Sequence, residues 1–142
     1  MKHLIIVPLL TLAFILAACT GPVTKDNIRQ NPVYSKTFSV NQAYQQVFDV
    51  LLKNSQSCYL NRPSSIQLTL VGNRDNGNKT ANITLEYVYA MAEQDVILML
   101  DITALRDEET RVNVYASRKG DAAKVDIIQK WLDDKDAELA CA

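Results

Sequence analysis

Residues 80–105 read TANITLEYVYAMAEQDVILMLDITAL, and this stretch decides the fold. In its first part, 80–89, apolar residues alternate with others, which is the period of a strand with one buried face; they are Ile83, Leu85, Tyr87 and Tyr89. In the second part, 95–105, one face carries Val96, Leu98, Leu100 and Ile102. Ile97 and Met99 make the opposite face apolar as well, which predicts a strand at the centre of a sheet.

The residues on both sides of this stretch continue an antiparallel sheet. Residues 66–71 alternate in the same way, and 72–78 contain only Gly, Asn, Asp and Arg, a composition typical of turns. The two features predict a hairpin with the strand at 80–89. Beyond a charged turn at 106–109, apolar residues alternate again over 112–116 and predict a fourth consecutive strand.

One further strand and two helices flank these four strands. Residues 33–40 have the aromatic and β-branched composition of a strand, and Asn41 is expected to cap a helix over 41–56. The apolar residues of this helix recur at helical spacing: Ala43, Tyr44, Val47, Phe48, Leu51 and Leu52. After Gly120, Asp121 is expected to cap a second helix that ends between 133 and 139. Its inward stripe is predicted to be Ala122, Val125, Ile128, Trp131 and Leu132.

The element order is therefore β-α-β-β-β-β-α, which predicts an α+β fold: an antiparallel sheet covered by two helices, in a single domain over 33–142. This order resembles that of helix-grip domains, including those of the outer-membrane assembly lipoprotein BamC. The resemblance extends over roughly residues 33–140 and carries no specific binding motif. It implies the fold and leaves the function open.

The first 18 residues have the pattern of a secretory signal peptide. Lys2 precedes an apolar run of about 13 residues, shorter than the roughly 20 that a membrane-spanning helix needs. The run ends in Leu16-Ala17-Ala18-Cys19, which resembles the lipobox of Gram-negative bacterial lipoproteins. The resemblance implies that the chain is cleaved before Cys19 and that the Cys19 thiol carries the lipid.

The lipobox resemblance also implies a location. Thr20 follows the cysteine where an aspartate would signal retention in the inner membrane, so we expect an outer-membrane lipoprotein whose domain faces the periplasm. Residues 19–32 contain Gly, Pro and mostly polar side chains and are expected to form a flexible tether. The implied partners are the membrane, through the N-terminal lipid, and an envelope protein.

Two cysteines remain once Cys19 is assigned to the lipid. Cys58 follows the first predicted helix and Cys141 follows the second, and export would place both in an oxidising compartment. We therefore expect a structural disulfide between them. A catalytic thiol is disfavoured because the only histidine, His3, lies in the signal segment and no Cys-x-x-Cys spacing is present.

Aromatic residues offer a weaker candidate site. Tyr87, Tyr89 and Trp131 could line a ligand groove between the sheet and the C-terminal helix. Tyrosines at alternating strand positions are more often ordinary core or sheet-surface residues. A filled core would favour that interpretation, whereas a sizeable apolar pocket would favour the groove.

Composition and motifs exclude several functional classes. The chain has 15 basic and 16 acidic residues without a run of five or more like charges, which argues against nucleic acid as a partner. No metal site, cofactor or catalytic constellation is predicted. The leading hypothesis is a non-enzymatic interaction or accessory subunit of the cell envelope. The alternative is a binding module that holds a lipid, a peptide or a glycan in the sheet-helix groove.

Overall fold

The structure is a computed structural model that describes residues 21–60, 67–89, 94–133 and 141. Its strands are β1 (Tyr34–Val40), β2 (Gln67–Asp75), β3 (Thr80–Val88), β4 (Gln94–Arg106) and β5 (Glu109–Ala116). Its α-helices are α1 (Lys25–Gln30), α2 (Tyr44–Ser55) and α3 (Ala122–Asp133). A π-helical turn, Gln56–Leu60, extends α2, and a 3₁₀ turn, Lys119–Asp121, precedes α3.

The five strands form one sheet in the order β1-β5-β4-β3-β2, and every neighbouring pair is antiparallel. The α+β fold with four consecutive strands and two covering helices is thus confirmed. β4 occupies the centre of the sheet, as the apolar character of both its faces predicts. The first strand, β1, joins the sheet beside the last one.

Helices α2 and α3 pack on one face of the sheet, which we call the inner face. The core between them consists of large apolar side chains that are almost fully excluded from solvent, among them Val47, Leu51, Ile83, Leu85, Leu100, Ile102, Ile128 and Trp131. Burying each of these stabilises the fold by roughly 1.5–3 kcal/mol before entropy is subtracted. The predicted stripe of α3 is buried at four of its five positions, and Ile127 is buried as well.

An irregularity in β4 divides its apolar residues between the two faces. Leu98 pairs with Leu85, but the next pair along is Val96 with Glu86, so Ile97 is an extra residue in the ladder. Ile97 consequently lies in the inner core with Leu98, while Val96 lies on the opposite face. The prediction that Val96 shares a face with Leu98 is therefore wrong, because strict alternation does not anticipate a bulge.

Helix α2 begins later than predicted. Its N-cap is Ala43, which provides no side-chain hydrogen bond, and Asn41 is not the cap. The Tyr44 ring is buried and its hydroxyl donates to the Asn76 side chain at 2.9 Å, so tertiary contacts hold this end of the helix. Asp121 does directly precede α3, but its carboxylate accepts a hydrogen bond from the Lys124 side chain.

The predicted hairpin is present, with a longer first strand and a shorter turn. β2 continues to Asp75, and the turn spans 76–79. The Asp75 carboxylate accepts hydrogen bonds from the backbone N–H groups of Gly77 and Asn78 at 2.9 and 3.1 Å. Lys79 closes the turn in the left-handed region, with φ of 52°. Ile66, the expected start of the strand, lies outside the described residues.

The segment 19–32, which was predicted to be a flexible tether, differs from its prediction more than any other described segment. Within 19–32 the chain forms α1, in which the Thr24 side chain accepts a hydrogen bond from the N–H of Asn27. Ile28 is 1% exposed and packs on the sheet. A single isoleucine among polar residues has no helical period, so composition indicated a linker. The described residues contain no helix that is long and apolar enough to cross a membrane.

Candidate functional site

The sheet face opposite α2 and α3, which we call the outer face, is half covered. Ile28 of α1 packs there against Val96 and Met99. Beside it, the Lys25 ammonium lies 3.4 Å from a Glu86 carboxylate oxygen. Glu86 is 2% exposed, so this ion pair neutralises a carboxylate that burial would otherwise make costly. Helix α1 therefore seals the part of the outer face near the start of β4.

A bidentate ion pair marks the boundary of the covered part. Arg29 donates from Nε to Asp101 Oδ2 at 2.8 Å and from Nη2 to Asp101 Oδ1 at 2.9 Å. These hydrogen bonds raise the pKa of the Arg29 guanidinium above its ordinary value. Burial raises the pKa of the neighbouring Tyr115 hydroxyl, and the Asp101 charge adds to that effect. Both carboxylate oxygens of Asp101 are thus held by one guanidinium.

Asp101 belongs to a line of polar side chains that crosses the whole sheet, which we call the polar row. Each strand contributes one residue, and the pairing places them directly opposite one another in the order Thr37, Asn113, Asp101, Asn82 and Asn73. The Thr37 hydroxyl donates to Asn113 Oδ1 at 2.9 Å, and Asn73 Nδ2 donates to Asn82 Oδ1 at 3.4 Å. The row offers amide and hydroxyl groups to a ligand.

All members of the polar row except Thr37 line an open groove of about 390 Å³. Arg29 borders it from α1, and the end of the β2–β3 hairpin borders it from the other side. The lining residues are Arg29, Asn73, Arg74, Asp75, Thr80, Ala81, Asn82, Asp101, Ile102, Thr103 and Asn113. About half of the exposed lining is polar, and the groove carries charges of both signs, so it can offer several hydrogen bonds to a ligand.

Sequence reasoning did not single out the polar row. The sequence does contain the alternation that marks an outward-facing strand position. Each member of the row lies between two residues of the inner face, as Asp101 does between Leu100 and Ile102. Solvent-facing strand positions are ordinarily polar, however, so composition alone does not mark them. Only the register, which the structure supplies, shows that the five residues are aligned.

The structure does not place the three predicted groove residues together. Trp131 is 1% exposed and lies in the inner core, where its ring centroid is 6.4 Å from that of Tyr59. It therefore cannot line an open sheet-helix groove in this conformation. The indole Nε1 has no hydrogen-bond partner among the described residues. This part of the groove prediction is wrong because Trp131 is buried in the inner core.

Tyr87 and Tyr89 do meet, at the end of the sheet where β3 ends and β4 begins. Their ring centroids are 6.3 Å apart, and the Arg118 guanidinium lies 5.0 Å from the Tyr87 centroid. Arg118 also donates to Asp95 at 2.7 Å. Its hydrogen bond to the Tyr89 hydroxyl raises the pKa of the guanidinium. Tyr87, which is partly buried against the inner core, and the exposed Tyr89 thus form an aromatic pair organised by one arginine.

Cys58 and Cys141 form a disulfide, as predicted, with their α-carbons 5.3 Å apart. Cys58 is 1% exposed and belongs to the inner core, where Cys141 packs against it. The bridge thus ties the segment after α2 to the segment beyond α3. Within the described ranges no group of three or more His, Cys, Asp or Glu side chains could hold a metal ion. Cys19, the predicted lipidation site, lies outside the described residues.

Comparisons with known proteins return little similarity. No protein-family model matches the chain, and no curated protein matches it. Among solved structures, the chain is similar to the crystal structure of the di-domain ARO/CYC protein StfQ from the steffimycin biosynthetic pathway, with 20% sequence identity and a TM-score of 0.36. The match covers 71% of this chain and 42% of that one, so the chain spans less than half of the length of StfQ.

Proposed function

We propose that this protein is a lipid-anchored lipoprotein of the bacterial outer membrane whose periplasmic domain acts as a non-enzymatic interaction or accessory subunit. The anchor rests on the signal-like segment and on the lipobox-like Leu16-Ala17-Ala18-Cys19. The observation that supports a location in an oxidising compartment is the disulfide between Cys58 and Cys141. Such bridges persist in oxidising compartments, so the bridge supports export independently of the signal peptide.

The non-enzymatic role is supported by the state of the groove. General acid-base catalysis needs a group that is free to gain or lose a proton near the substrate. Both oxygens of Asp101, the carboxylate at the centre of the polar row, accept hydrogen bonds from Arg29. The remainder of the row consists of amides and a hydroxyl, which bind well but transfer protons poorly. The groove therefore suits recognition.

Metabolic labelling with a radioactive or clickable fatty acid in a Gram-negative host tests the anchor. The wild-type protein should incorporate the label and fractionate with outer membranes on a density gradient. Cys19→Ala should abolish the label and release the exported chain from membranes. Equal labelling of the two proteins would contradict the lipoprotein assignment, and recovery of the labelled protein with inner membranes would contradict the sorting alone.

A photo-crosslinking amino acid at Asn82, in the groove, tests the interaction role in living cells. A matched control carries the same residue at Lys130, which is exposed on α3 on the other side of the molecule. We expect adducts of discrete mass from the groove position only. The same adducts from both positions, or none from either, would count against a partner in the groove.

The second candidate is a binding module, and the groove of about 390 Å³ favours it. The sequence placed such a site between the sheet and the C-terminal helix, where the burial of Trp131 argues against it. On the outer face the lining includes charged and amide side chains, so a glycan fragment or a polar peptide suits it better than an acyl chain. Titration of the ¹⁵N-labelled domain with soluble envelope glycans should shift the Asn82 and Asn113 side-chain amide signals if this candidate is right.

A further inference from the structure

The N-terminal segment is fixed to the sheet very soon after the predicted lipid-bearing residue. The Val23 N–H donates to Asp95 Oδ1 at 2.8 Å, and the Val23 carbonyl accepts a hydrogen bond from the N–H of Val96 at 2.9 Å. Three residues separate Val23 from Cys19, and a fully extended chain over the four steps between their α-carbons spans at most about 14 Å. If Cys19 carries the lipid, Val23 lies within that distance of the lipid-bearing residue, and the start of β4 is hydrogen-bonded to Val23.

The strand register shows which other residues lie at this end of the sheet. β4 begins at Gln94 opposite Val88, the last residue of β3, and β5 ends at Ala116 opposite Tyr34, the first residue of β1. Val33 directly precedes β1, Tyr89 directly follows β3, and Arg118 is the second residue after β5. We call this end, defined by Val23, Val33, Tyr89 and Arg118, the proximal end.

The proximal end exposes side chains suited to a membrane surface. Val33 is 51% exposed and Tyr89 is 48% exposed, and both are large hydrophobic residues. Tyrosine prefers the membrane-water interface, where its ring meets acyl chains and its hydroxyl meets water and headgroups. Arg118 is 48% exposed beside Tyr89, and guanidinium groups bind phosphate oxygens well. At the opposite end of the sheet, near the turn after β4, Leu105 is the matching exposed apolar side chain, at 38%.

We propose that the proximal end rests on the phospholipid headgroups of the membrane that holds the Cys19 lipid, with Tyr89 and Val33 in the interface. This orientation rests on the proposed lipidation of Cys19. The short connection brings the surface into contact, and the exposed aromatic and apolar side chains stabilise that contact. The β2–β3 hairpin and the groove beside the polar row then point away from the bilayer into the periplasm.

Fluorescence quenching by brominated phospholipid tests the orientation. The lipidated protein, purified from membranes, is reconstituted into vesicles of phosphatidylethanolamine and phosphatidylglycerol with and without brominated chains. A new tryptophan is introduced at the proximal end by Tyr89→Trp, with Leu105→Trp as the matched control. The emission of Trp131, which is buried in the core, is measured in the parent protein and subtracted. Val33→Trp provides a second proximal reporter if Tyr89→Trp perturbs the fold.

Brominated lipid should reduce the added emission of the proximal variants and leave that of Leu105→Trp unchanged. Equal quenching of proximal and control variants, or quenching of the control alone, would overturn the orientation. Mass spectrometry of the N-terminal peptide in the same samples reports the lipid. A protein that carries the lipid and floats with vesicles but shows no proximal quenching refutes the orientation and leaves the lipoprotein assignment intact. A protein without lipid at Cys19 refutes both.

Discussion

Arg29 and Asp101 are 72 residues apart in sequence and share two parallel hydrogen bonds, so a helix of six residues is clamped to the central strand of the sheet. A guanidinium matches a carboxylate with two donors in one plane, whereas an ammonium supplies a point charge. The clamp also sets where α1 stops covering the outer face and where the groove begins.

The clamp predicts that Arg29→Lys loosens α1 although the charge is kept. Because the Arg29 side chain is 37% exposed, the loss of unfolding free energy should be modest, about 0.5–1 kcal/mol. Urea unfolding measures the loss, and amide hydrogen exchange should show faster exchange confined to α1. Arg106→Lys is the control, because Arg106 is 84% exposed and its pair with Glu109 is a surface contact. Equal effects of the two substitutions would contradict the clamp.

Ile28 provides the apolar part of the same contact. Ile28→Ala removes a side chain that is 1% exposed and leaves a space beside Met99, so we expect a loss of about 2–4 kcal/mol. Thermal and urea unfolding measure it. Gln30→Ala changes an exposed residue of the same helix and should be near neutral. If Ile28→Ala leaves both stability and the protection of α1 unchanged, the helix is not docked in solution.

The disulfide predicts a large and reversible effect. Cys58→Ser combined with Cys141→Ser opens a loop with a sequence separation of 83 residues. The chain-entropy model assigns such a loop a stabilisation on the order of 4 kcal/mol, and the melting temperature should fall accordingly. A reductant should lower the melting temperature of the wild type in the same way and leave the double variant unaffected. Two free thiols in the oxidised wild-type protein would show that the bridge is absent.

Gly72 reports how closely α2 approaches β2. A β-carbon at Gly72 would lie 2.9 Å from Leu52 Cδ1 and 3.1 Å from Phe48 Cζ. Both atoms are the ends of side chains that can shift, so Gly72→Ala should cost at most about 1 kcal/mol through overpacking. Leu52→Ala in the same chain should recover part of that cost, which a double-mutant cycle measures as coupling. Gly120→Ala has no atom within 4 Å of its added carbon and should be neutral. Additive effects at positions 72 and 52 would argue against the contact.

Asp75 predicts an acid sensitivity of the β2–β3 hairpin. Hydrogen bonds from the backbone and side chain of Asn78, and then from the Gly77 N–H, hold the pKa of Asp75 below the ordinary 3.8. Since the folded pKa is below the unfolded one, the contribution to stability is complete above about pH 3.8 and is lost as the pH falls through the folded pKa. Asp75→Asn should therefore differ from wild type at pH 7, and the difference should shrink as the pH falls through the folded pKa of Asp75. A constant difference in unfolding free energy across this range would refute the account.

The sequence predicted the elements whose period is regular. β3 and β4 were identified from alternation, and α2 and α3 from helical spacing, because each buries a continuous apolar face. The Cys58–Cys141 pairing followed from the placement of two thiols after two helices. Local pattern could not anticipate contacts that only the register creates: the bulge at Ile97, the docking of Ile28 on Met99, and the alignment of the polar row. Trp131 was misassigned because an aromatic residue on an inward stripe fits a core and a groove equally well.

The position of β1 has a consequence for how the chain must fold. In the described sheet, β1 pairs only with β5, and Thr37 meets Asn113 across 76 residues. A chain that emerges N-terminus first therefore displays Phe38 and Val40 without a neighbouring strand until the end of the sheet has been made. Closing so long a loop costs entropy before any pairing is gained, and non-local pairing of this kind is associated with folding in milliseconds to seconds. Until β5 arrives, β1 is the segment that a holding chaperone would have to keep from pairing with another chain.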